Sequence, residues 1–322
     1  SGMLAANEAC YGKRAIPSYH FDKAKTIVSL SADFLATWLS PVEFSRQYAE
    51  TKRIKGEKPE ISRHFHFESM LSITGSNADD RYTHKPSETG AIALALLAKL
   101  GGAVAAPTIS DAALAKGIEK AAAALTASKG QALVVCGSND ANVQVVVNAI
   151  NEAIGANGTT VNWGVTSNYR KGNDADLARL VDEMNAGAIG AVMVYGCNPA
   201  YNYGDSKKFT DGLSKVALSV SFNATMDETT ELCKYIIPAP HWLESWGDAE
   251  PKSGYYSLVQ PLINPLFKTR PFQTSLLKWM GADVTKVSAA ANDTTQKAQA
   301  PVVSTNAGDE YEAYLKNYWA AK

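Results

Sequence analysis

Short runs of β-branched, aromatic or other apolar residues recur along the chain, separated by polar turns and longer stretches with helical spacing. The runs at residues 25–30 (KTIVSL), 63–68 (RHFHFE), 132–136 (ALVVC), 191–195 (AVMVY) and 217–222 (ALSVSF) predict buried strands. Single helices are predicted between most of them. This alternation indicates an α/β fold with mostly parallel, doubly wound sheets.

Capping residues and glycines mark where the predicted helices begin and end. Ser40 is predicted to cap a helix that opens with Pro41 and Glu43 and carries Phe44 and Tyr48 on one face. Further helices are predicted at residues 91–100, 110–128, 141–154, 174–185, 206–214, 228–235, 272–280 and 309–319.

These elements group into two Rossmann-like lobes. Residues 1–105 are predicted to form the first lobe, residues 106–128 a connecting helix, and residues 129–262 the second lobe. Residues 263–322 are predicted to hold C-terminal helices and a flexible segment at 288–299. Residues 242–271 have no clean period and predict an extended loop. The last helix has an aromatic stripe that is predicted to pack on its own domain: Tyr311, Tyr314, Leu315 and Tyr318.

Composition argues against several classes of function. Lysine and arginine (31 residues) balance aspartate and glutamate (32 residues), so no bulk charge favours nucleic acid or an anionic membrane. The chain contains no apolar run of about eighteen residues, so no membrane span is predicted. We expect its start to be a cut within a longer protein, since it does not resemble a signal peptide. The four cysteines have no paired spacing, which argues against a metal or cluster site and predicts mostly buried free thiols.

Two loops that follow strands could approach a phosphate or nucleotide. The loops at 137–140 (GSND) and 196–199 (GCNP) each place a glycine directly after an apolar strand, where ligands bind in doubly wound sheets. Neither is a full dinucleotide fingerprint. Each loop alone is typical of an ordinary turn.

The second loop and the motifs after it resemble the molybdopterin oxidoreductases. Gly196-x-Asn198-Pro199 is followed by residues 228–230 (ETT) and residues 236–247 (IIPAPHWLESWG), in the order and spacing of that family. The resemblance implies a domain that holds a molybdopterin guanine dinucleotide. It implies a cofactor role at these positions: Gly137, Asn139, Gly196, Asn198, Pro199, Asn223, Glu228, Thr229 and Glu244.

Several positions depart from the family pattern. Asn223 stands where the family has a guanine-reading aspartate, Lys234 replaces an aspartate, and residues 251–256 (PKSGYY) lack the family's arginine. In the first lobe, residues 31–38 (SADFLATW) replace a small Gly-x-Asn loop with bulky and acidic residues. We therefore interpret the nine cofactor positions as vestigial.

These departures resemble the iron–sulfur subunit of the bacterial alternative complex III. The likeness rests on residues 19–24 (YHFDKA), 31–35 (SADFL), 40–43 (SPVE) and 69–75 (SMLSITG). It implies a molybdenum-free domain without catalytic residues, with iron–sulfur clusters in a domain outside this chain. It also implies multihaem cytochrome c and membrane quinol-oxidising subunits as partners, on the periplasmic side of the bacterial inner membrane.

Other polar groups have ordinary explanations. His64 and His66 could share a metal, but no third ligand is evident and a half-exposed strand face is favoured. His241 beside Glu244 is predicted to have a structural role, and residues 79–81 (DDR) are predicted to form a solvated loop. No hydrolase, zinc-protease or cysteine-nucleophile motif occurs, so neither catalytic residues nor metal ligands are predicted.

Three functions remain open at this point. The first is a non-catalytic scaffold domain of a respiratory quinol-oxidising complex. The second is a catalytic domain that depends on molybdopterin guanine dinucleotide and whose metal ligand lies outside the chain. The third is a two-lobed periplasmic receptor for a small ligand, which also suits two α/β lobes.

Overall fold

The computed structural model describes residues 2–54, 60–281 and 310–321. The chain divides into two compact units. The first comprises Ser1–Gly172 with Pro251–Tyr255, and the second comprises Asn173–Glu250 with Tyr256–Lys322.

The first unit is built on a four-stranded parallel sheet with the order β4-β3-β2-β5. Its helices and strands follow in chain order. They are α1 (Gly2–Tyr11), β1 (Ile16–Tyr19), β2 (Thr26–Leu30), α2 (Pro41–Lys52), β3 (Arg63–Glu68), α3 (Ile73–Ser76), β4 (Asp80–Thr83), α4 (Thr89–Lys99), α5 (Ala112–Ala127), β5 (Ala132–Cys136), α6 (Ala141–Ala153) and β6 (Val161–Ser167).

Continuous apolar sequence in β2 and β5 is explained by burial on both sheet faces. Ile27, Val28 and Leu30 are fully buried, and Leu133 of β5 lies in the same core. Parallel strands covered by helices on both sides need no polar alternation. The predicted strands at 25–30, 63–68 and 132–136 are therefore confirmed.

The predicted boundary at residue 129 differs from the division that the structure shows. Strand β5 pairs in register with β2, with Thr26 opposite Ala132, so it completes the first sheet rather than starting a second one. Helix α5 covers that sheet with Leu114, Ile118 and Leu125 instead of linking two lobes. The first unit extends to Gly172. The sequence did not predict this, because helix spacing alone does not reveal which sheet a strand joins.

One sheet of the structure, which contains strands from the start of the chain, was not predicted. It is antiparallel and has the order β1-β6-β10-β11, where β10 is Gly247–Lys252 and β11 is Tyr255–Val259. Its strands are short or interrupted by Pro17 and Gly164, which weakens the sequence signal. The extended loop predicted at 242–271 thus contains a hairpin, and the start of the chain forms α1.

The second unit holds a three-stranded parallel sheet in the order β7-β8-β9. Its core centres on Val181, Met184, Phe209 and Leu213. Its remaining elements are α7 (Asp174–Asn185), β7 (Ala191–Val194), α8 (Pro199–Asn202), α9 (Ser206–Lys215), β8 (Leu218–Ser221), α10 (Glu228–Leu232), β9 (Tyr235–Ile236), α11 (Phe272–Trp279) and α12 (Glu310–Ala320).

The aromatic stripe of α12 is only half buried. Tyr311 and Leu315 pack with Leu277 of α11, as predicted, whereas Tyr314 and Tyr318 remain exposed. Helix α10 ends at Leu232 instead of residue 235, because the backbone becomes extended at Cys233. The segment predicted as flexible, 288–299, lies outside the described residues.

The prediction of a half-exposed face at His64 and His66 is wrong. Both side chains are buried, and their ring centroids lie 5.6 Å apart. His64 Nδ1 is 3.2 Å from the Tyr48 hydroxyl, and His66 Nε2 is 3.0 Å from Glu68 Oε2. The second nitrogen of each ring is buried without a hydrogen-bond partner in the described structure. The described residues contain no group of three or more metal-ligating side chains.

Residues 79–81 are also not a solvated loop. Asp80 and Arg81 begin the edge strand β4, where Arg63 contacts Asp80 at 2.8 Å and Arg81 contacts Glu68 at 2.5 Å. Asp79 accepts a hydrogen bond from the backbone N–H of His64. Charged side chains are common on edge strands, because they discourage pairing with other chains. The charges at residues 79–81 therefore do not indicate a loop.

Two smaller predictions also fail. The Ser40 side chain makes no capping hydrogen bond to α2, although Pro41 begins the helix as predicted. The cysteines are free, but only Cys136 is buried, while Cys10 and Cys197 are exposed.

The buried histidines predict an acid-sensitive stability. Burial lowers the pKa of His64 well below its ordinary value of 6.5, and burial also lowers that of His66 despite the adjacent Glu68. Below pH 6.5 the unfolded chain binds protons that the folded chain does not. The free energy of unfolding should therefore fall as the pH drops below 6.5, by up to about 1.4 kcal/mol per pH unit for each histidine.

Urea unfolding at pH 7.5 and 5.5 measures this loss. His64→Leu should lose about 1 kcal/mol less between the two pH values than the unchanged chain. Val42→Ser, which changes a highly exposed side chain and no histidine, is the control and should retain the full loss. An identical pH dependence in all three proteins would contradict this role for His64.

Candidate functional site

In the second unit, the loop after β7 is held to the start of α10 by side-chain hydrogen bonds. Asn198 Nδ2 donates to Glu228 Oε2 at 2.6 Å, and Asn198 Oδ1 accepts from the Thr229 hydroxyl at 2.7 Å. The Thr229 hydroxyl in turn accepts from the N–H of Ala200 at 2.9 Å. We call this arrangement of Asn198, Glu228 and Thr229 the loop clasp.

The loop clasp joins the side chains at three of the predicted cofactor positions. Thr229 is fully buried, and its hydroxyl takes one of the first N–H groups of α8, which Pro199 opens. The hydrogen bond from Asn198 lowers the pKa of the Glu228 carboxyl, assisted by a backbone N–H. The Glu228 carboxylate thus places a negative charge of the chain itself at this end of the sheet.

The glycines of the two candidate loops have structural explanations. Gly196 has a φ of +63°, a backbone conformation that favours glycine at this turn, and a side chain there would point into open space. A Cβ at Gly137 would lie 2.1 Å from the carbonyl oxygen of Ser31. The close approach predicted for a phosphate is made there by the chain's own backbone.

Asn223, the predicted guanine-reading position, is buried and faces inward. Its Nδ2 donates to the carbonyl oxygen of Cys197 at 2.8 Å and to Asp227 Oδ2 at 2.9 Å. Its Oδ1 is buried with no hydrogen-bond partner in the described structure. The Asn223 side chain therefore offers one hydrogen-bond acceptor, whereas recognition of a guanine edge needs two.

Asp227 was missed in the sequence analysis, although it is central to this site. Its side chain caps α10 by accepting from the N–H of Thr230 at 2.8 Å and also holds Asn223. An aspartate directly before a helical run is a recognised capping signal, which could have identified it.

Glu244 also serves the local backbone. It is mostly buried and accepts from the N–H groups of His241 at 3.2 Å and Leu266 at 3.4 Å. Together with the His241 ring, which accepts from the N–H of Leu243, it caps a single 3-10 turn. The structural role predicted for His241 agrees with these contacts.

In the first unit, residues 31–38 fill the end of the sheet. Phe34 is fully buried and stacks on Phe21, and Asp33 accepts from the N–H and hydroxyl of Thr74. On the neighbouring loop, Asn139 Oδ1 accepts from the N–H of Gly2 at 2.9 Å, so α1 begins directly against residue 139.

A cavity of about 440 Å³ remains beside these loops. Its wall combines Trp38 and Leu39 with the Asp33 carboxylate and Arg170. Ser31 and Leu39 both adopt left-handed backbone conformations, with φ of 52° and 55°. The wall therefore combines apolar side chains with charged side chains of both signs.

Comparison with known proteins supports the family resemblance. No family model matches the chain. The molybdopterin-binding-like subunit of menaquinone reductase from Nitratidesulfovibrio vulgaris (strain Hildenborough) is 25% identical over 323 residues, covering 88% of this chain and 46% of that protein. The resemblance to molybdopterin oxidoreductases is confirmed. This molybdopterin-oxidoreductase-like chain spans about half the length of the relative it matches.

Solved structures support the fold assignment. Acetylene hydratase from Pelobacter acetylenicus superimposes with a TM-score of 0.60 and 11% identity, covering 87% of this chain and 50% of that one. The predicted α/β architecture with parallel sheets is thereby confirmed. The formyltransferase/hydrolase complex from Methylorubrum extorquens reaches a TM-score of 0.47 at 13% identity, which is too low to support an argument. No helix in the described part of the chain is long and apolar enough to cross a membrane.

The loop clasp predicts a specific loss of stability. Thr229→Val keeps the side-chain shape but removes one hydroxyl that serves both Asn198 and the N–H of Ala200. Because both groups lose a partner at a buried position, the free energy of unfolding should fall by about 1–3 kcal/mol.

Chemical unfolding followed by tryptophan fluorescence measures this loss. Thr210→Val is the control, since within the described residues its hydroxyl bonds to the carbonyl oxygen of Lys207 in α9 and to no other group. Its effect should stay within about 0.5 kcal/mol. Equal effects of the two substitutions would show that the loop clasp has no special role.

Proposed function

We propose that this chain is a molybdenum-free, non-catalytic domain that acts as a scaffold in a respiratory quinol-oxidising complex. The observation that carries the proposal is the loop clasp. Asn198, Glu228 and Thr229 stand at cofactor positions of the family, yet their polar atoms bond to one another. Side chains that already hydrogen-bond to one another gain less by binding a nucleotide than unpaired ones would.

The first unit supports the same proposal. The loop that would receive phosphate carries the Asp33 carboxylate, which repels an anion, and is filled by Phe34. Asn139 is engaged by the N–H of Gly2 at the start of α1. A pterin nucleotide does not fit these residues as they are arranged, so no chemical step is assigned to one.

The proposed partners follow from the relative and from the family resemblance. The related protein is by name a subunit of a menaquinone reductase. By analogy, we assign this chain to a complex with iron–sulfur, multihaem cytochrome c and membrane quinol-oxidising subunits, on the periplasmic side of a bacterial inner membrane. Iron–sulfur clusters would belong to a domain outside this chain.

An exposed apolar segment in the second unit supports a docking role. Leu258, Leu262, Leu266 and Phe267 are each more than half exposed and lie within ten residues of one another. Clusters of exposed large apolar residues mark protein–protein contacts more often than free surface. A scaffold subunit requires such a surface, whereas a self-contained enzyme domain does not.

One observation favours the catalytic alternative. The Asn223 side-chain oxygen is buried without a partner and could accept a hydrogen bond from a guanine amino group. A catalytic domain dependent on molybdopterin guanine dinucleotide is therefore the second candidate. Measurement of bound molybdenum and guanine nucleotide distinguishes the scaffold domain from the catalytic domain.

The complex purified from its native host should contain substoichiometric molybdenum in metal analysis. Acid extraction should release no pterin and no guanine nucleotide, because the cradle residues are bonded to one another. One molybdenum or one guanine nucleotide per chain would overturn the scaffold proposal and favour the catalytic domain.

Assembly of the complex tests the docking segment. Leu266→Ser combined with Phe267→Ser should reduce co-purification of the other subunits at least several-fold, because it makes an exposed apolar surface polar. The N–H of Leu266 that bonds Glu244 is unchanged, and circular dichroism should show an intact fold.

Val42→Ser is the control for this experiment, since Val42 is an isolated apolar residue that is also highly exposed. It should leave co-purification unchanged. If the double substitution leaves assembly intact, this segment does not dock the partner subunits.

A further inference from the structure

The second unit contains a groove with aromatic walls, far in sequence from the loop clasp. It has a volume of about 420 Å³ and lies between strand residues of the β10–β11 hairpin and α12. We call it the aromatic groove. Its aromatic lining consists of Tyr256, Tyr311, Tyr314, Tyr318 and Trp319, and its acidic lining of Asp248 and Glu250.

The rings of the groove face in more than one direction, because Trp319 stands at large angles to Tyr256 and Tyr318. Tyr256 and Trp319 have centroids 4.7 Å apart and an interplanar angle of 61°, and Tyr318 meets Trp319 at 88°. Tyr314 stacks nearly parallel to Tyr318 and is itself about half exposed. Rings crossing at such angles present their faces in several directions around one space, as in a cage.

Asp248 places a carboxylate at this groove. It accepts from the Tyr311 hydroxyl at 3.3 Å and from Trp319 Nε1 at 3.2 Å. Both donors are neutral, and within the described residues Asp248 is paired with no cationic side chain. The groove therefore combines ring faces, which carry partial negative charge, with a carboxylate whose charge is not neutralised.

The same helix already holds one cation on an aromatic face. Lys316 Nζ lies 5.2 Å from the ring centre of Trp246. That contact is separate from the groove and uses a cation from within the unit. A cation–ring contact is therefore already present on α12, next to the groove in sequence.

We propose that the aromatic groove binds a quaternary ammonium group carried by a small molecule. A quaternary ammonium has a diffuse charge and no N–H donor, so it suits ring faces and a carboxylate that already accepts two hydrogen bonds. A volume of about 420 Å³ lies within the roughly 300–1,000 Å³ range of small-molecule sites and leaves space for more than the ammonium group alone. This site is independent of the proposed scaffold function.

Binding of choline to the full chain tests the proposal, measured by tryptophan fluorescence and by ligand-observed NMR. The comparison ligand is 3,3-dimethylbutan-1-ol, which has the same shape without the charge. Choline should bind at least about fivefold more tightly, because only a cation gains from the ring faces and the carboxylate. Absence of choline binding, or equal binding of both ligands, would overturn the proposal.

Variants locate the site. Trp319→Leu should abolish choline binding, and Asp248→Asn should weaken it about two- to fivefold while keeping the hydrogen-bonding shape of the side chain. Trp242→Leu replaces an exposed tryptophan of the same unit outside the groove and should bind like the unchanged chain. If Trp319→Leu does not fold, Tyr314→Leu at the exposed wall replaces it. Choline binding unaffected by Asp248→Asn and Tyr314→Leu would place the site elsewhere and refute the assignment.

Discussion

Buried polar groups are usually hydrogen-bonded, and at the carboxyl ends of both parallel sheets side chains of this chain provide several of the partners. In the second unit, Asn198 and Thr229 join the loop after β7 to the start of α10, and the Thr229 hydroxyl accepts from the N–H of Ala200 in α8. In the first unit, the start of α1 meets Asn139. These are the places where doubly wound sheets usually bind ligands. At both places, side-chain hydrogen bonds tie the loop to a neighbouring element of the chain.

This arrangement separates fold from chemistry. The frame shared with acetylene hydratase requires only that strands, helices and short loops pack in the right order. Holding a nucleotide requires N–H groups and acceptors that are left unused, whereas the side chains of Asn198, Glu228 and Thr229 are bonded to one another. The unpartnered oxygen of Asn223 is the main exception. A chain of this kind can keep its architecture while its surfaces, such as the apolar segment around Leu266, take over the function.

The aromatic groove and the buried histidines illustrate what periodicity does not reveal. The stripe on α12 is visible in the sequence, but its neighbours Asp248 and Tyr256 are contributed by a hairpin that reads as an irregular loop. His64 and His66 alternate as a half-exposed strand would, yet β3 lies inside a sheet covered on both faces. Alternation identifies one shared face of a strand. It does not tell whether that face meets water or another layer of the protein.

By itself, the sequence determined the strands β2, β3, β5, β7 and β8, most helix boundaries, the α/β class and the family resemblance, because these depend on local runs of apolar residues and on short motifs. Only the tertiary structure decided which sheet β5 joins, the existence of the antiparallel sheet, and the ion pairs that make residues 80 and 81 part of a strand. It also decided that Asn198, Thr229 and Glu228 bond to one another, since residues thirty positions apart meet only when two strands and their loops are packed side by side. Strand pairing and side-chain contact are long-range properties, and no local pattern encodes them.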